Sequence, residues 1–317
     1  MSAIRTDGLY KCYERRNWRG RVVESVEAVR GISFEVRPGE TAAFIGANGA
    51  GKSTTLRLLS GVLKPTRGQA SVCGHRSGTP EAAMCFGFVS GNRSVLWSHM
   101  TVRQSLEIIG AIYGLRSAER QTRIATLARE LELEAFLGRR GGTLSLGERM
   151  RCEMAAAVMH HPVVLLADEP TLGLDIPTRR ALRELLRGWT SSSGTTLLLT
   201  SHDVGDIESL CERTLLIAKG RVVFDGPTAT LESQESRIRS IRISLREPVE
   251  APHIADSGLR LVSMTEDEIR YEFSLEELSV DRAIRALLDQ LGHRIADLRV
   301  SSPSLEECLA RYMGERP

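Results

Sequence analysis

The sequence predicts an α/β protein with a parallel sheet, interrupted by a helical subdomain and followed by a small α+β domain. Three observations carry this. "VVLLAD" and "TTLLLTSH" contain short unbroken apolar runs, the mark of strands buried on both faces. Helical patterns fall between the strand signals, the alternation of a parallel sheet. After about Leu231 the pattern changes: "RIRSIRISL" alternates strictly, with Ile238, Ile241, Ile243 and Leu245 set among Arg and Ser.

Each element follows in order. Up to about Gly39 the chain reads as strands, and "GISFEV" alternates Ile32, Phe34 and Val36. Between Tyr13 and Glu27 the charged insertion "ERRNWRGRVVESV" reads as a long loop or hairpin. "TAAFIGANGAGKSTTLRLLSGVL" runs strand, glycine loop, helix, and "GQASVCG" is a further strand. From about Thr101 to His161 the chain is mostly helical. "SLEIIGAIYG" is one amphipathic stretch and "RIATLARELELEAFL" another, with Ile124, Leu127 and Leu131 on one face. Beyond Leu231, "DEIRYEFSL" and "RIADLRV" read as strands and "SVDRAIRALLDQLG" as a helix closed by Gly292. "SPSLEECLARYM" is a last helix with Ser304 near its start. The expected division is a main domain over 1–231, with its helical part at about 92–161, and an accessory domain over 232–317.

Composition excludes several classes. Of 317 residues, 42% are hydrophobic and 26% charged, ordinary for a globular protein. The net charge of +2 gives no reason to invoke nucleic acid or an acidic membrane surface, and Arg15, Arg16, Arg19 and Arg21 read as a solvated loop. The six cysteines are scattered without C-x-x-C spacing, which leaves zinc and redox motifs unsupported and fits a reducing cytosol. "MSAIRTDGLY" has no signal-peptide pattern, and the longest apolar runs fall far short of the roughly 18–20 residues of a membrane span. The chain is expected not to cross a membrane by itself.

Gly46-Ala47-Asn48-Gly49-Ala50-Gly51-Lys52-Ser53 fits G-x-x-x-x-G-K-[ST]. Glycines let backbone N–H groups approach phosphates, and the helix that follows points its N-terminus at the same charge. Lys52 reaches the β/γ-phosphates and Ser53 offers a hydroxyl to Mg²⁺. A chance match in such a chain is on the order of one per cent, and this one has the required strand before it and helix after it. In "VVLLADEP", Asp168 at the strand end is expected in the Mg²⁺ shell and Glu169 at the attacking water. Adjacent carboxylates beside an apolar strand repel unless a cation sits there. His202 follows the next apolar strand, whose end converges on the same crevice, so its imidazole is placed to bond the γ-phosphate or the water. "TLSLGERM" reads as a helix start, with Ser145 as N-cap and Glu148 completing a capping box.

"GANGAGKST", "LSLGER", "VVLLADEPTLGLD" and "LLLTSHD", in that order over about Gly31 to Gly226, resemble the ATP-binding subunit of an ABC transporter. The resemblance implies a P-loop NTPase core with a parallel sheet, an N-terminal antiparallel β subdomain and a helical subdomain. It implies head-to-tail homodimers that sandwich two ATP, with Mg²⁺, between the cradle of one copy and the signature helix of the other. Lys52, Ser53 and Thr54 match the cradle, and Ser145 and Gly147 match signature residues acting in trans. Asp168 matches the metal-shell acid, Glu169 the catalytic base, His202 the switch histidine and Asp175 the loop that crosses the dimer. Tyr13 sits where an aromatic stacks on adenine.

Three departures stand out. Where the family has the glutamine that links Mg²⁺ to the membrane partner, "FGFVSGNRSVLW" has Gly91 and Asn92; Asn92 keeps the amide oxygen on a shorter arm. The signature carries Leu146 for Gly and Glu148 for Gln. A carboxylate near the phosphates weakens binding unless it turns away, and a Ser145 hydroxyl that caps its own helix is less free to donate to ATP. The C-terminal domain resembles the appendage on ATPase subunits of drug-, antibiotic- and viologen-type exporters, whose permease is a separate polypeptide. The expectation is therefore an ATPase at the cytoplasmic face of the cell membrane, driving export and binding no nucleic acid. An importer subunit, a non-transport ABC ATPase and a nucleotide-sensing regulator are the rivals.

Overall fold

The alternation in "GISFEV" is the inward face of a long strand. The computed structural model describes residues 2–91 (residue 16 by its backbone alone), 94–230, 238–247, 249 and 258–302. In it, β1 (Ile4–Arg16) pairs antiparallel with β2 (Val22–Val36), and Ile32, Phe34 and Val36 are buried between exposed neighbours. The insertion is a hairpin. Asn17 closes its turn: its N–H donates to the Arg21 carbonyl at 2.9 Å, and its side-chain oxygen accepts from the Arg19 and Arg21 N–H groups at 3.0 Å.

β3 (Thr41–Ile45) leads through the glycine loop into α1 (Lys52–Leu59). β4 (Arg67–Val72) and β5 (His75–Arg76) complete a first sheet in the order β2-β1-β4-β5. α2 (Pro80–Cys85) leads into β6 (Phe86–Ser90). The helical part follows as α3 (Val102–Ile112), α4 (Ser117–Glu130) and α5 (Leu146–Ala157). Ile124, Leu127 and Leu131 are buried as expected, but α4 stops at Glu130. Glu132 takes a left-handed φ of 54°, so the chain turns there and does not run on as helix to Leu137.

Next come β7 (Val164–Asp168), α6 (Ile176–Ser193), β8 (Thr196–Thr200), α7 (Val204–Leu210), β9 (Arg213–Ala218) and β10 (Arg221–Pro227). With β3 and β6 they form a central sheet in the order β10-β9-β3-β8-β7-β6. The pairings of β3 with β8 and β9, and of β7 with β6 and β8, are parallel. Leu165, Leu166, Leu197, Leu198 and Leu199 are 0% exposed, the two-sided burial that their unbroken apolar runs predict. Each such side chain contributes about 1.5–3 kcal/mol of burial free energy. The order puts β8 between β3 and β7, so the chain leaves all three at one edge, the place where open parallel sheets bind ligands. Asp168 and Thr200, the last residues of β7 and β8, are register partners.

Residues Met1–Gly226 form one compact unit and Pro227–Pro317 a second. The second is an antiparallel sheet, β12-β13-β11-β14, of β11 (Ile238–Leu245), β12 (Arg260–Met264), β13 (Glu268–Ser274) and β14 (Ile295–Ser301). α8 (Val280–Leu291), capped by Ser279 and ended at Gly292, packs Ala283, Leu287 and Leu291 against Ile241, Ile243, Ile269, Tyr271 and Phe273. The sequence reading passes over β12. It is an edge strand with only Val262 and Met264 partly covered, so its alternation is weak. The last helix expected, with Ser304 near its start, lies outside the described residues.

Candidate functional site

The glycines of the loop after β3 are forced by close approach. Gly51 precedes α1 with φ of 111°, and a Cβ there would lie 2.4 Å from the Ala28 carbonyl oxygen. A Cβ on Gly46 would lie 2.1 Å from the Ile217 carbonyl oxygen. Gly49 (φ 78°) and Asn48 are exposed at the crown of the loop, and the Ala50 N–H closes it on the Ala47 carbonyl at 3.1 Å. Ser53 and Thr54 are half-buried in the first turn of α1. No side chain caps α1 and no acid sits in its first turn. Its first N–H groups are therefore left for an anion.

Lys52 is 5% exposed. Its Nζ donates to the carbonyls of Gly46 at 2.6 Å and Ala47 at 3.2 Å and lies 3.2 Å from His202 Nε2. Burial pulls its pKa below the usual lysine value, while the charges of Glu169 and Asp168 oppose that fall. Asp168 Oδ1 accepts from Thr200 Oγ1 at 2.7 Å and Ser53 Oγ at 3.2 Å. Glu169 Oε1 lies 2.9 Å from His202 Nε2. His202 Nε2 thus stands between the Lys52 ammonium and the Glu169 carboxylate, while Lys52 also donates to the loop carbonyls. The charges of both carboxylates act on the Lys52 ammonium.

Glu169 holds a left-handed φ of 53°. Its N–H donates to both the carbonyl and Oγ1 of Thr200, at 3.0 and 3.1 Å. On its other side a Cβ on Gly91 would lie 2.3 Å from the Glu169 carbonyl oxygen, and the Gly91 N–H donates to the Asp168 carbonyl at 3.0 Å. The His202 loop is braced from behind. Arg179 and Arg183 of α6 bond Asp203, the latter at 2.6 Å. Asp206, fully buried, accepts from Arg183, Thr171 and Ser201. A cleft of about 200 Å³ opens between the Glu169 and His202 loops.

The signature residues form a second group. Ser145 caps α5: its Oγ accepts from the Glu148 N–H at 3.3 Å, and Glu148 Oε2 accepts from the Ser145 N–H at 2.8 Å. Arg139 Nη1 holds Glu148 Oε1 at 2.8 Å. The Ser145 N–H, then Arg139 and the Ser145 hydroxyl, keep the Glu148 carboxyl below its usual pKa. The added carboxylate is thus turned back onto its own helix end. Capping itself uses only a lone pair of Ser145 Oγ, but the hydroxyl also faces the Glu148 carboxylate and lowers its pKa. The difficulty raised by the sequence therefore stands: to donate to ATP, the hydroxyl must turn away from Glu148. A Cβ on Gly147 would lie 2.3 Å from Thr178 Cγ2 of α6. Asp175 caps α6 by accepting from the Thr178 N–H at 2.8 Å, which lowers its carboxyl pKa.

Tyr13 is 40% exposed on β1, opposite Val26, with Lys11 Nζ 5.4 Å from its ring centroid. Two residues past Val26, Ala28 touches Gly51, so the hairpin starts beside the cradle. Asn92 lies outside the described residues; Ser90, in register with Asp168, leads toward it. Sequence reasoning missed Thr200 and Arg139, and named Gly91 only as standing near the place of the family's glutamine. Thr200 carries a signal, a hydroxyl that ends an all-leucine run at the crevice. Arg139 has none.

Fold and site together define an ATP-binding cassette: a glycine cradle, strand-end carboxylates with a histidine, and a separate signature helix. The ABC transporter family model matches residues 29–172. The chain is 32% identical over 212 residues to the ABC transporter ATP-binding protein NatA of Bacillus subtilis, covering 66% of this chain and 86% of that one. It is 30% identical over 292 residues to the linearmycin resistance ATP-binding protein LnrL of the same species, covering 90% and 93%. Other relatives are far longer, and the chain spans 28% of one and 15% of another. The fold matches the dimeric post-hydrolysis structure of the ATP-binding cassette MJ0796, bound to ADP and Pi, with a TM-score of 0.62 at 23% identity, over 71% of this chain and 98% of that one. The chain belongs to the ATP-binding proteins of ABC transporters.

Proposed function

We propose that two copies of this chain close on ATP and Mg²⁺, hydrolyse the nucleotide and drive export through a separate permease. The observation that carries the reading is the convergence of Lys52, Ser53, Asp168, Glu169 and His202 at the ends of adjacent parallel strands, beside an uncapped helix N-terminus. Lys52 exchanges its loop carbonyls for the β/γ-phosphates. The N–H groups from Gly46 to Thr54 cradle the same charge. Ser53 and Asp168 place two oxygen donors 3.2 Å apart, a set that fits Mg²⁺, with Asn92 expected beside them. Bound there, Mg²⁺ supplies neutralisation of phosphate charge.

Glu169, held in a fixed backbone geometry, orients the attacking water and takes its proton. His202 holds Glu169 in line and turns to the γ-phosphate when nucleotide enters. Ser145 and Gly147 face a partner's ATP, Asp175 lies on the loop that crosses to the partner, and Tyr13 stacks on adenine. Most of the catalysis is positioning and charge stabilisation. Export is supported by the separate C-terminal unit and by the resistance function named for LnrL. Among the described residues no helix is long and apolar enough to cross a membrane, so the permease holds the chain at the cytoplasmic face. Comparing metabolites in cells with and without the chain tests the direction. Loss of an exporter raises the level of its substrate inside the cell, and Lys52→Ala does not restore it. A substrate that falls instead makes this an importer.

A further inference from the structure

Past Tyr10 the first sheet narrows to a ribbon. β4 last pairs with β1 at Tyr10↔Arg67, while β1 and β2 continue together as far as Arg16↔Val22. The Cys12 N–H still reaches Thr66 Oγ1 at 3.2 Å; among the described residues, no strand but β2 pairs with β1 beyond that point. An isolated two-stranded ribbon is marginal in water, and an exposed apolar one invites association. This charged ribbon also exposes apolar side chains that have no core to cover them. Trp18 is 88% exposed, Val23 53%, Val26 52% and Val22 47%.

Its tip reads Arg15-Arg16-Asn17-Trp18-Arg19-Gly20-Arg21, four arginines without an acid. The chain's net charge of +2 conceals this concentration, and the sequence reading as a solvated loop does not account for the tryptophan. Asn17 pins the turn so that Trp18 and Arg19 stand together, with the Arg19 guanidinium 4.5 Å from the Trp18 ring centroid. Arg15 is 75% exposed although it pairs with Glu24 at 3.2 Å.

We propose that this hairpin tip docks on an anionic phospholipid surface, with Trp18 at the level of the headgroups and Arg15, Arg19 and Arg21 on lipid phosphates. Tryptophan is enriched at membrane–water interfaces, and clustered arginines are drawn to anionic leaflets. Val22 and Val23, next to the tip, choose between acceptors: they gain burial at the headgroup–acyl boundary and gain nothing on a nucleic-acid backbone. The chain is an ATP-binding protein of a membrane transporter, so such a surface is within reach, whether the transporter exports or imports.

The test uses the full chain with vesicles of phosphatidylcholine alone and of phosphatidylcholine with phosphatidylglycerol, read by co-sedimentation and tryptophan emission. The expected result is binding to the anionic vesicles only, weakened by salt, with a blue shift of emission that Trp18→Phe abolishes. Arg19→Gln and Arg21→Gln each weaken binding about fivefold, and ATP hydrolysis by the variants in the absence of vesicles is unchanged, which shows that they are folded. Equal binding to neutral vesicles, no binding at all, or binding that the arginine variants leave intact overturns the proposal. So does binding that appears only when a permease is present in the vesicle, which makes the hairpin a protein contact.

Discussion

Glu169 sits in a backbone conformation that costs a non-glycine residue about 1–3 kcal/mol, and its surroundings over-determine it. Thr200 binds its N–H twice, and Gly91 leaves no room on the other side. Lys52, Ser53, Asp168, Glu169 and His202, which the structure brings together, stood out in the sequence because each lies in a short motif of fixed local spacing. Gly91, Thr200 and Arg139 reach their partners across strand pairing or a loop, where local spacing carries no signal. Gly147 allows a packing role to be separated from a role toward a partner's nucleotide. Gly147→Ala drives a Cβ into Thr178 Cγ2 and is expected to destabilise the fold by about 1–3 kcal/mol. Adding Thr178→Ser removes that methyl and restores the unfolding midpoint. ATP turnover stays low in the double variant, because the backbone facing the partner's phosphate still carries a side chain. If turnover recovers together with stability, Gly147 serves packing alone.

At the scale of elements, unbroken apolar runs marked β7 and β8 and helical periodicity marked the amphipathic stretches of α3 and α4, but the equally buried β9 went unread. Periodicity overran α4, where a single left-handed residue ends the helix, and passed over β12, which is only half covered. The capping box at α5 was legible, but the clamp by Arg139 that turns Glu148 aside was not. The end of α5 also carries a pH dependence. His160 stacks on Tyr113 with centroids 3.7 Å apart, and its Nε2 is 3.1 Å from the Phe86 carbonyl oxygen. Burial, the largest cause, pushes its pKa down from 6.5 to about 4. The unfolded chain therefore binds a proton that the folded chain refuses, so stability is full above 6.5 and falls as pH drops through this window. The expected loss is roughly 2 kcal/mol by about pH 5. Urea unfolding of His160→Gln, whose amide can still donate to Phe86, should show a correspondingly flatter pH dependence. An unchanged slope removes His160 from the account.

The whole molecule consists of two units, each with its own core. The sequence places a change of pattern near Leu231, whereas the units divide between Gly226 and Pro227. The overall charge misled about the surface, because a balanced total hides a basic hairpin tip. Two cores predict two thermal transitions. ATP with Mg²⁺ at about a hundredfold over Kd should raise the transition of the first unit by roughly 5–10 °C and leave the second in place. A chain ending at residue 231 should keep the transition that responds to ATP. One transition that moves as a whole contradicts the division.

The central claim is that two copies complete each other's nucleotide sites and that Glu169 carries the hydrolytic step. Sedimentation velocity of Glu169→Gln, with and without Mg-ATP and alongside its ATPase rate, tests both parts. The account predicts turnover at least about 10²-fold below wild type and a monomer that becomes a dimer when Mg-ATP is added. A variant that hydrolyses ATP at the wild-type rate, or one that binds Mg-ATP and stays monomeric, contradicts it.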